Sequence, residues 1–348
     1  MKLAVIGAGS WGTAMAVLLG QKHDSVALWA RNAALANQMN ERRCNEAYLP
    51  GITIGPSVAI THHLQTALLG ARLVVFAIPS QAMRETAAAV SPYITDSSIV
   101  ITATKGFDLS SNQRMSEVIA DVLPQLKNQI AVLSGPNHAE EVGMAQPSAT
   151  VAAASQPAVA GQVQEAFMMP YFRVYTNPDI IGVELGGALK NIIALGAGIA
   201  EGLGFGDNTK AALVTRGLAE IARLGLAMGA DPLTFAGLSG IGDLMVTCTS
   251  RHSRNRRAGI LLAQGKQANQ IAAETNMVAE GIRATAAARS LAEKHRIEMP
   301  ITEQIYQVIY EGKSPREAVL DLMTRGRAKE AEEVVNAKAI WKLHSKNP

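Results

Sequence analysis

The chain has 348 residues, 48% apolar and 18% charged, and its 32 basic and 29 acidic side chains leave a formal charge of +3. That balance excludes intrinsic disorder and gives enough length for two domains, each with its own core. The small net charge argues against a broad nucleic-acid-binding face, and two cysteines, Cys44 and Cys248, exclude a disulfide framework or a CxxC metal site.

In chain order, β-rich runs stand at residues 3–6, 26–29, 73–77, 99–103, 130–133 and 150–153, with helix-compatible segments at 13–22, 33–42, 81–90 and 113–123. Strands alternating with helices predict a mainly parallel sheet covered on both faces. A last strand at 171–175 leads into the turn "TNPD". Beyond residue 179 the strand signal stops. Segments 181–200, 210–228, 232–238, 242–247, 254–264, 281–294, 299–311 and 315–323 read as helices broken by Gly and Pro, and 342–348 as a fraying end. The expectation is α/β: a Rossmann-type domain over 1–180 followed by an all-helical domain over 181–348, with the active site in the cleft between them.

Lys2 precedes an uncharged stretch and Ala14-Met15-Ala16 imitates a leader cleavage site, but Gly7, Gly9, Ser10 and Gly12 interrupt the apolar run. A cytoplasmic protein without a leader is expected. No other stretch reads as a membrane span.

"VIGAGSWGTA" places Gly7, Gly9 and Gly12 as G-x-G-x-x-G between the first strand and the first helix. The three glycines serve a tight turn, backbone access for a pyrophosphate, and close helix–strand packing. The second strand ends in "ALWARN", where an NAD-specific site usually carries an acid; Arg31 instead suits the 2′-phosphate of NADP or stacking on adenine. NADP(H) is favoured, with NAD(H) still open. "ITATKGFD" and "VLSGPNHAEE" set Lys105, Gly106, Gly135, Pro136 and Asn137 at later strand ends, where open α/β sheets bind ligands. His138 reads as structural.

"VELGGALKNIIALGAGIAEGLGFG" sets Lys190 among leucines and isoleucines, with Gly186 and Gly187 admitting another backbone, and leaves open a helix-face lysine whose stem only covers apolar surface. A lysine there is costly unless paired, and desolvation suits it to proton transfer near neutral pH. Asp243 and Thr247 stand four apart, on one helix face. Asp243 could be a helix N-cap or could orient the lysine. "TSRHSRNRRAG" gathers Arg251, Arg254, Arg256 and Arg257 beside His252. Arg256 and Arg257 read as a solvated helix face, whereas Arg254 and Asn255 follow Ser253 at a helix start suited to one small anion.

Jointly, "GAGSWGTA", "ATKG", "SGPNHAEE", "GGALKNIIALGAGIAEGLGFGDNTKAALVTRGLAEI", "GIGDLMVTCTSRHSRNRR" and "VAEGIRAT" resemble the NAD(P)-dependent glycerol-3-phosphate dehydrogenases of the bacterial biosynthetic type, over nearly the whole chain. The resemblance implies reduction of dihydroxyacetone phosphate to sn-glycerol 3-phosphate for phospholipid synthesis. It implies cofactor contacts from Ser10, Trp11, Arg31, Lys105, Ala139, Arg254, Val278 and Glu280, beside the glycine loop. Substrate contacts would come from Lys105, Gly135, Asn137, Lys190, Asp243, Ser253, Arg254 and Asn255. Lys190 takes the place of the proton donor, Lys105 stabilises the developing alkoxide, and Asp243 with Thr247 holds Lys190. The family is commonly homodimeric. Asn137 departs from the Thr or Ser of many bacterial relatives, although an amide can still donate and accept. The rival readings are another 3-hydroxyacid-type dehydrogenase, which would not need the arginine cluster, and a Rossmann redox-sensing or nucleic-acid-binding protein, in which Lys190 would be dispensable.

Overall fold

A computed structural model describes residues 1–275 and 279–326. Val278 and the end at 342–348 lie outside the described residues. The chain divides into two compact units, Met1–Glu184 and Leu185–Pro348.

The first unit runs β1 (Lys2–Ile6), α1 (Ser10–Gly20), β2 (Val26–Trp29), α2 (Ala33–Arg42), β3 (Cys44–Asn45), β4 (Leu49–Thr53), β5 (Val58–Thr61), α3 (Leu64–Leu68) and β6 (Ala71–Phe76). It continues with α4 (Met83–Val90), β7 (Ile99–Thr102), α5 (Met115–Val122), β8 (Ile130–Ser134), α6 (Ala139–Gly143), β9 (Ser148–Ala154), α7 (Pro157–Phe167) and β10 (Phe172–Asn177). Eight strands form one sheet in the order β10-β9-β8-β7-β6-β1-β2-β5, while β3 and β4 pair as a separate antiparallel hairpin. All sheet pairings are parallel except β8 with β9. This is the mainly parallel Rossmann-type sheet that the alternation predicts. Its residues alternate between two buried layers, as a doubly covered sheet requires. Leu3 and Val5 pack with Met15 and Leu19 of α1 and Val163 of α7, whereas Ala4 and Ile6 pack with Met83 and Val90 of α4 and Val118 of α5.

Strand β5, the β3–β4 hairpin and helices α3 and α7 are absent from the sequence-based expectation. β5 is an edge strand whose short run lies between the turn residues at 55–57 and His62-His63, and α7 opens on Pro157 and carries Gly161, all of which read as loop.

Helix α8 (Ile180–Gly202) passes from the first unit into the second. In the first unit its Glu184 is buried, accepts from the Ser116 amide at 2.8 Å and the Ser116 hydroxyl at 2.6 Å, and pairs with Arg114 at 2.5 Å. Burial raises the Glu184 carboxyl above the usual range, with Arg114 opposing.

The second unit continues through α9 (Asp207–Ala227), α10 (Pro232–Phe235), α11 (Asp243–Thr249), α12 (Arg254–Ala263), α13 (Ala268–Thr275), α14 (Glu280–His295), α15 (Pro300–Tyr310) and α16 (Pro315–Met323). Among the described residues it is all-helical; α13, between Gly265 and the undescribed 276–278, is the helix not predicted. α8 is long and apolar enough to cross a membrane by length and composition alone, but 89% of its apolar window is buried inside the structure, as in a core helix, in keeping with the reading of no membrane span. In α9, Glu220 is buried and accepts from the amides of Ile301 at 2.6 Å and Thr302 at 3.2 Å, so it caps α15. Burial pushes its carboxyl up to about 7.

Candidate active site

In the first unit, Gly7 follows β1 with φ +113°, a left-handed conformation that disfavours a side chain. A Cβ there would also lie 2.5 Å from the Ala77 carbonyl oxygen. A Cβ on Gly12 would collide with the Gly7 carbonyl oxygen, while one on Gly9 would meet nothing within 4 Å. The motif thus divides into two sterically compelled glycines and one that keeps a face of the loop open. No side chain caps α1, so the amides of Ser10, Trp11 and Gly12 lead a bare helix N-terminus, the arrangement that receives a pyrophosphate. Asn45, fully buried, pins the loop by donating to the Ala8 carbonyl at 2.9 Å and to the Thr13 hydroxyl at 2.8 Å. Sequence reasoning misses Asn45, because its partners lie 37 and 32 positions away. Half-buried Trp11 packs with Ala14, Leu49 and Ala139, bringing two expected cofactor residues together.

Parallel register aligns the other loops on the same sheet edge. Ile6 pairs with Trp29 and with Phe76, Phe76 pairs with Thr102, and Thr102 pairs with Val132. Arg31, the glycine loop, Lys105 and Gly135–Asn137 therefore all leave carboxyl ends of neighbouring strands, where such sheets bind ligands. Arg31 is exposed, beside Asn32, which caps α2 by accepting from the Leu35 amide at 3.0 Å. The Lys105 ammonium donates to the Gly135 carbonyl at 3.1 Å, and Asn137 donates to the Ala149 carbonyl at 2.9 Å. A Cβ on Gly135 would lie 2.9 Å from Thr150 Cα, so that position also serves packing against β9.

In the second unit, Lys190 lies on α8 and is 6% exposed. Its ammonium donates to the Asp243 carboxylate and, at 2.6 Å, to the Thr247 hydroxyl. Thr247 in turn donates to the Asp243 carbonyl at 2.6 Å, so the spacing of four holds both partners on one face of α11. Asp243 is the first residue of α11 and not its N-cap, which is Gly242; the reading of Asp243 as a cap gives way to the ion pair. Gly186 lets the Ser239 carbonyl close on α8 just ahead of α11. Buried beside the pair, the Cys248 thiol is pushed up to about 12 by burial first, with Lys190 opposing and Asp243 adding.

Helix α12 begins as expected. Ser253 caps it by accepting from the Arg256 amide at 3.2 Å, leaving Arg254 exposed at the first turn and Asn255 buried behind it. Arg256 departs from the reading as a solvated face. Its guanidinium is 18% exposed and grips Glu201 of α8 through two nitrogens, the Nε–Oε2 contact being 2.8 Å. Arg257 is exposed. Gly198 and Gly259 let the α8 and α12 backbones touch, because a Cβ on either would overlap a main-chain oxygen of the other helix. A cavity of about 420 Å³ runs along α12, with Arg254, Arg257, Leu261 and Ala279 in its wall; Lys190 and Asp243 do not line it. Glu280 opens α14, half-buried. Among the described residues, no group of three or more His, Cys, Asp or Glu converges as metal ligands do.

Comparison with known proteins identifies the family. The family model described as the NAD-dependent glycerol-3-phosphate dehydrogenase N-terminus matches residues 2–160, and that described as its C-terminus matches 179–320. The chain is 54% identical over 340 residues to "Glycerol-3-phosphate dehydrogenase [NAD(P)+]" of Pelotomaculum thermopropionicum, covering 97% of each. It is 49% identical over 336 residues to the protein of the same description from Bacillus subtilis, covering 96% of this chain and 97% of that one. The crystal structure of glycerol-3-phosphate dehydrogenase from Coxiella burnetii is similar with a TM-score of 0.88 at 36% identity, over 93% of this chain and 99% of that one.

Proposed function

Given that the chain belongs to the NAD-dependent glycerol-3-phosphate dehydrogenase family, we propose that it reduces dihydroxyacetone phosphate to sn-glycerol 3-phosphate, reversibly, using NADPH or NADH. The observation that carries this reading is the buried Lys190 ammonium held by Asp243 and Thr247.

The bare amides of α1 and the open face at Gly9 fit a dinucleotide pyrophosphate. Cofactor would be held by Gly7, Gly9, Ser10, Trp11, Gly12, Arg31, Lys105, Ala139, Arg254 and Glu280; Val278, outside the described residues, completes that set. Bound nicotinamide supplies a hydride to the ketone carbon. Lys190 gives its proton to the oxygen as the carbonyl electrons settle there, leaving an alcohol and a neutral amine that solvent reprotonates. Lys105 adds a positive charge where the alkoxide develops. Asp243 and Thr247 fix the direction of the Lys190 ammonium, so no reorientation is needed during the transfer. Gly135, Asn137, Ser253, Arg254 and Asn255 complete the substrate contacts. Arg254 offers a guanidinium fork to the phosphate at a helix N-terminus that already favours an anion. The product serves as the backbone of glycerophospholipids, and a cytoplasmic homodimer is the proposed form.

The test is loss of NADPH absorbance on adding dihydroxyacetone phosphate to the purified chain, with little change on adding unphosphorylated dihydroxyacetone. Inorganic phosphate should compete with substrate, and less so in Arg254→Ala. Absence of turnover with both nicotinamide cofactors refutes the enzyme reading, and an unchanged KM in Arg254→Ala refutes the phosphate assignment.

A further inference from the structure

Three residues are joined inside the second unit: Asn191 and Gly281, which adjoin proposed site residues, and Asn255, which is itself a proposed substrate contact beside Arg254. Asn191 follows Lys190 on α8, Asn255 follows Arg254 on α12, and Gly281 follows Glu280 on α14. Asn191 and Asn255 are 5% and 8% exposed. The Gly281 amide donates to Asn255 Oδ1 at 2.9 Å, Asn255 Nδ2 donates to Asn191 Oδ1 at 2.8 Å, and Asn191 Nδ2 donates to the Gly187 carbonyl at 3.4 Å. Asn191 has no part in the mechanism above.

The direction of this chain is fixed at both ends by main-chain groups that cannot exchange roles. An amide N–H only donates, so Asn255 must present its oxygen to Gly281 and its nitrogen to Asn191. Asn191 must then present oxygen to Asn255, which leaves its nitrogen for the Gly187 carbonyl, an obligate acceptor. Each amide therefore has one compatible orientation, and a buried donor or acceptor left over by substitution has no water to replace its partner. Gly281 fits tightly into the same junction: a Cβ there would lie 2.5 Å from the Asn191 carbonyl oxygen and 2.9 Å from Asn255 Oδ1.

We propose that Asn191 is a positioning residue: through its hydrogen bond to Asn255 it sets the helix start that carries Arg254, and through Asn255 the Gly281 amide beside Glu280, relative to Lys190 one residue away. The proposal rests on the reduction proposed above, in which Arg254 holds the substrate phosphate. Asn191 touches neither substrate nor cofactor in this account. It transmits the position of the lysine helix to the phosphate-binding end.

The experiment compares Asn191→Leu, Asn255→Leu and the double variant in the full chain, by kcat, KM for dihydroxyacetone phosphate, the inhibition constant of inorganic phosphate, and thermal melting. In Asn191→Leu, KM and the phosphate inhibition constant rise together by roughly 10- to 100-fold, the scale for a displaced binding group, while kcat at saturation stays within about threefold. Asn191→Leu adds little further effect in the Asn255→Leu background, because both substitutions break the same link. A folded Asn191→Leu protein with unchanged KM and phosphate inhibition overturns the proposal. So does a fall in kcat alone, which would place Asn191 with the Lys190 chemistry. If Asn191→Leu does not fold, Asn191→Ser is judged by the same measurements, and failure of both to fold makes the amide chain part of the fold and overturns the positioning role. An inactive wild-type protein would instead refute the reduction itself.

Discussion

Removing Lys190 should separate the stability of the second unit from its chemistry. Lys190 and Asp243 are 6% and 1% exposed and hydrogen-bonded to each other, so Lys190→Met leaves a carboxylate buried without its cation. Breaking a buried pair from one side costs about 3–5 kcal/mol, a sum of lost attraction and uncompensated desolvation. Replacing both partners by uncharged residues of similar volume removes the second term. Lys190→Met/Asp243→Asn should thus recover all but about 1 kcal/mol of that loss, the net worth of one neutral hydrogen bond. Catalysis follows a different rule, because neither variant has a proton donor. Both should lose kcat by a factor on the order of 10²–10⁴, the range for deleting a general acid. Denaturant unfolding of each variant measures the first effect, and steady-state NADPH oxidation at saturating dihydroxyacetone phosphate measures the second. NADPH affinity should change far less than kcat, since the proposed cofactor contacts do not include Lys190. Near-normal kcat in Lys190→Met would show that the proton comes from another group. Equal stability of the single variant and the wild type would refute the account of a buried, obligatory pair.

Three further outcomes are expected. Arg31→Ala should raise KM for NADPH over that for NADH by about 1–3 kcal/mol, the range for a hydrogen bond to a charged group, and equal effects on both cofactors would remove the 2′-phosphate from its role. Arg256→Ala should lower stability by about 1 kcal/mol, because its two-nitrogen grip on Glu201 is only partly exposed, while phosphate competition stays near wild type; a collapse of phosphate competition would put Arg256 in the anion site. Burial raises the Glu220 carboxyl from 4.5 to about 7, so ionising it is harder in the folded state, and its contribution to stability falls as pH rises between those values. That shift is worth about 3 kcal/mol at most, and the upward shift of Glu184 acts in the same direction. Melting curves from pH 5 to 8 should slope downward less steeply in Glu220→Gln than in the wild type, and parallel slopes would contradict this.

What the sequence discloses, and what it hides, follows from the range of each interaction. The glycine loop is legible because its constraints are local: Gly12 meets the oxygen of Gly7, five residues earlier. Lys190 is legible as an anomaly in an apolar helix, and Asp243 with Thr247 as a helical pair, although only the fold joins them across 53 and 57 positions. Arg256 is misread because helical spacing on α12 carries no information about Glu201, 55 residues away. Asn45, Asn191 and Glu220 escape for the same reason, since an isolated polar residue in the sequence looks identical whether it faces solvent or caps a distant element. β5 is missed on a different ground: it is an edge strand whose short run stands between residues 55–57 and His62-His63, which read together as loop.

The contacts at Gly7, Gly12, Gly198 and Gly259 have an implication for how this chain can vary. At each, the atom that an added Cβ would strike first belongs to the main chain. A clash with a side chain can be relieved by trimming that side chain elsewhere, and such pairs drift together through a lineage. A clash with a carbonyl oxygen has no partner to trim. Suppressor screens begun from alanine at these four positions should therefore return only reversion, whereas Gly9, with open space around it, should keep its fold as alanine and lose only what the open face admits.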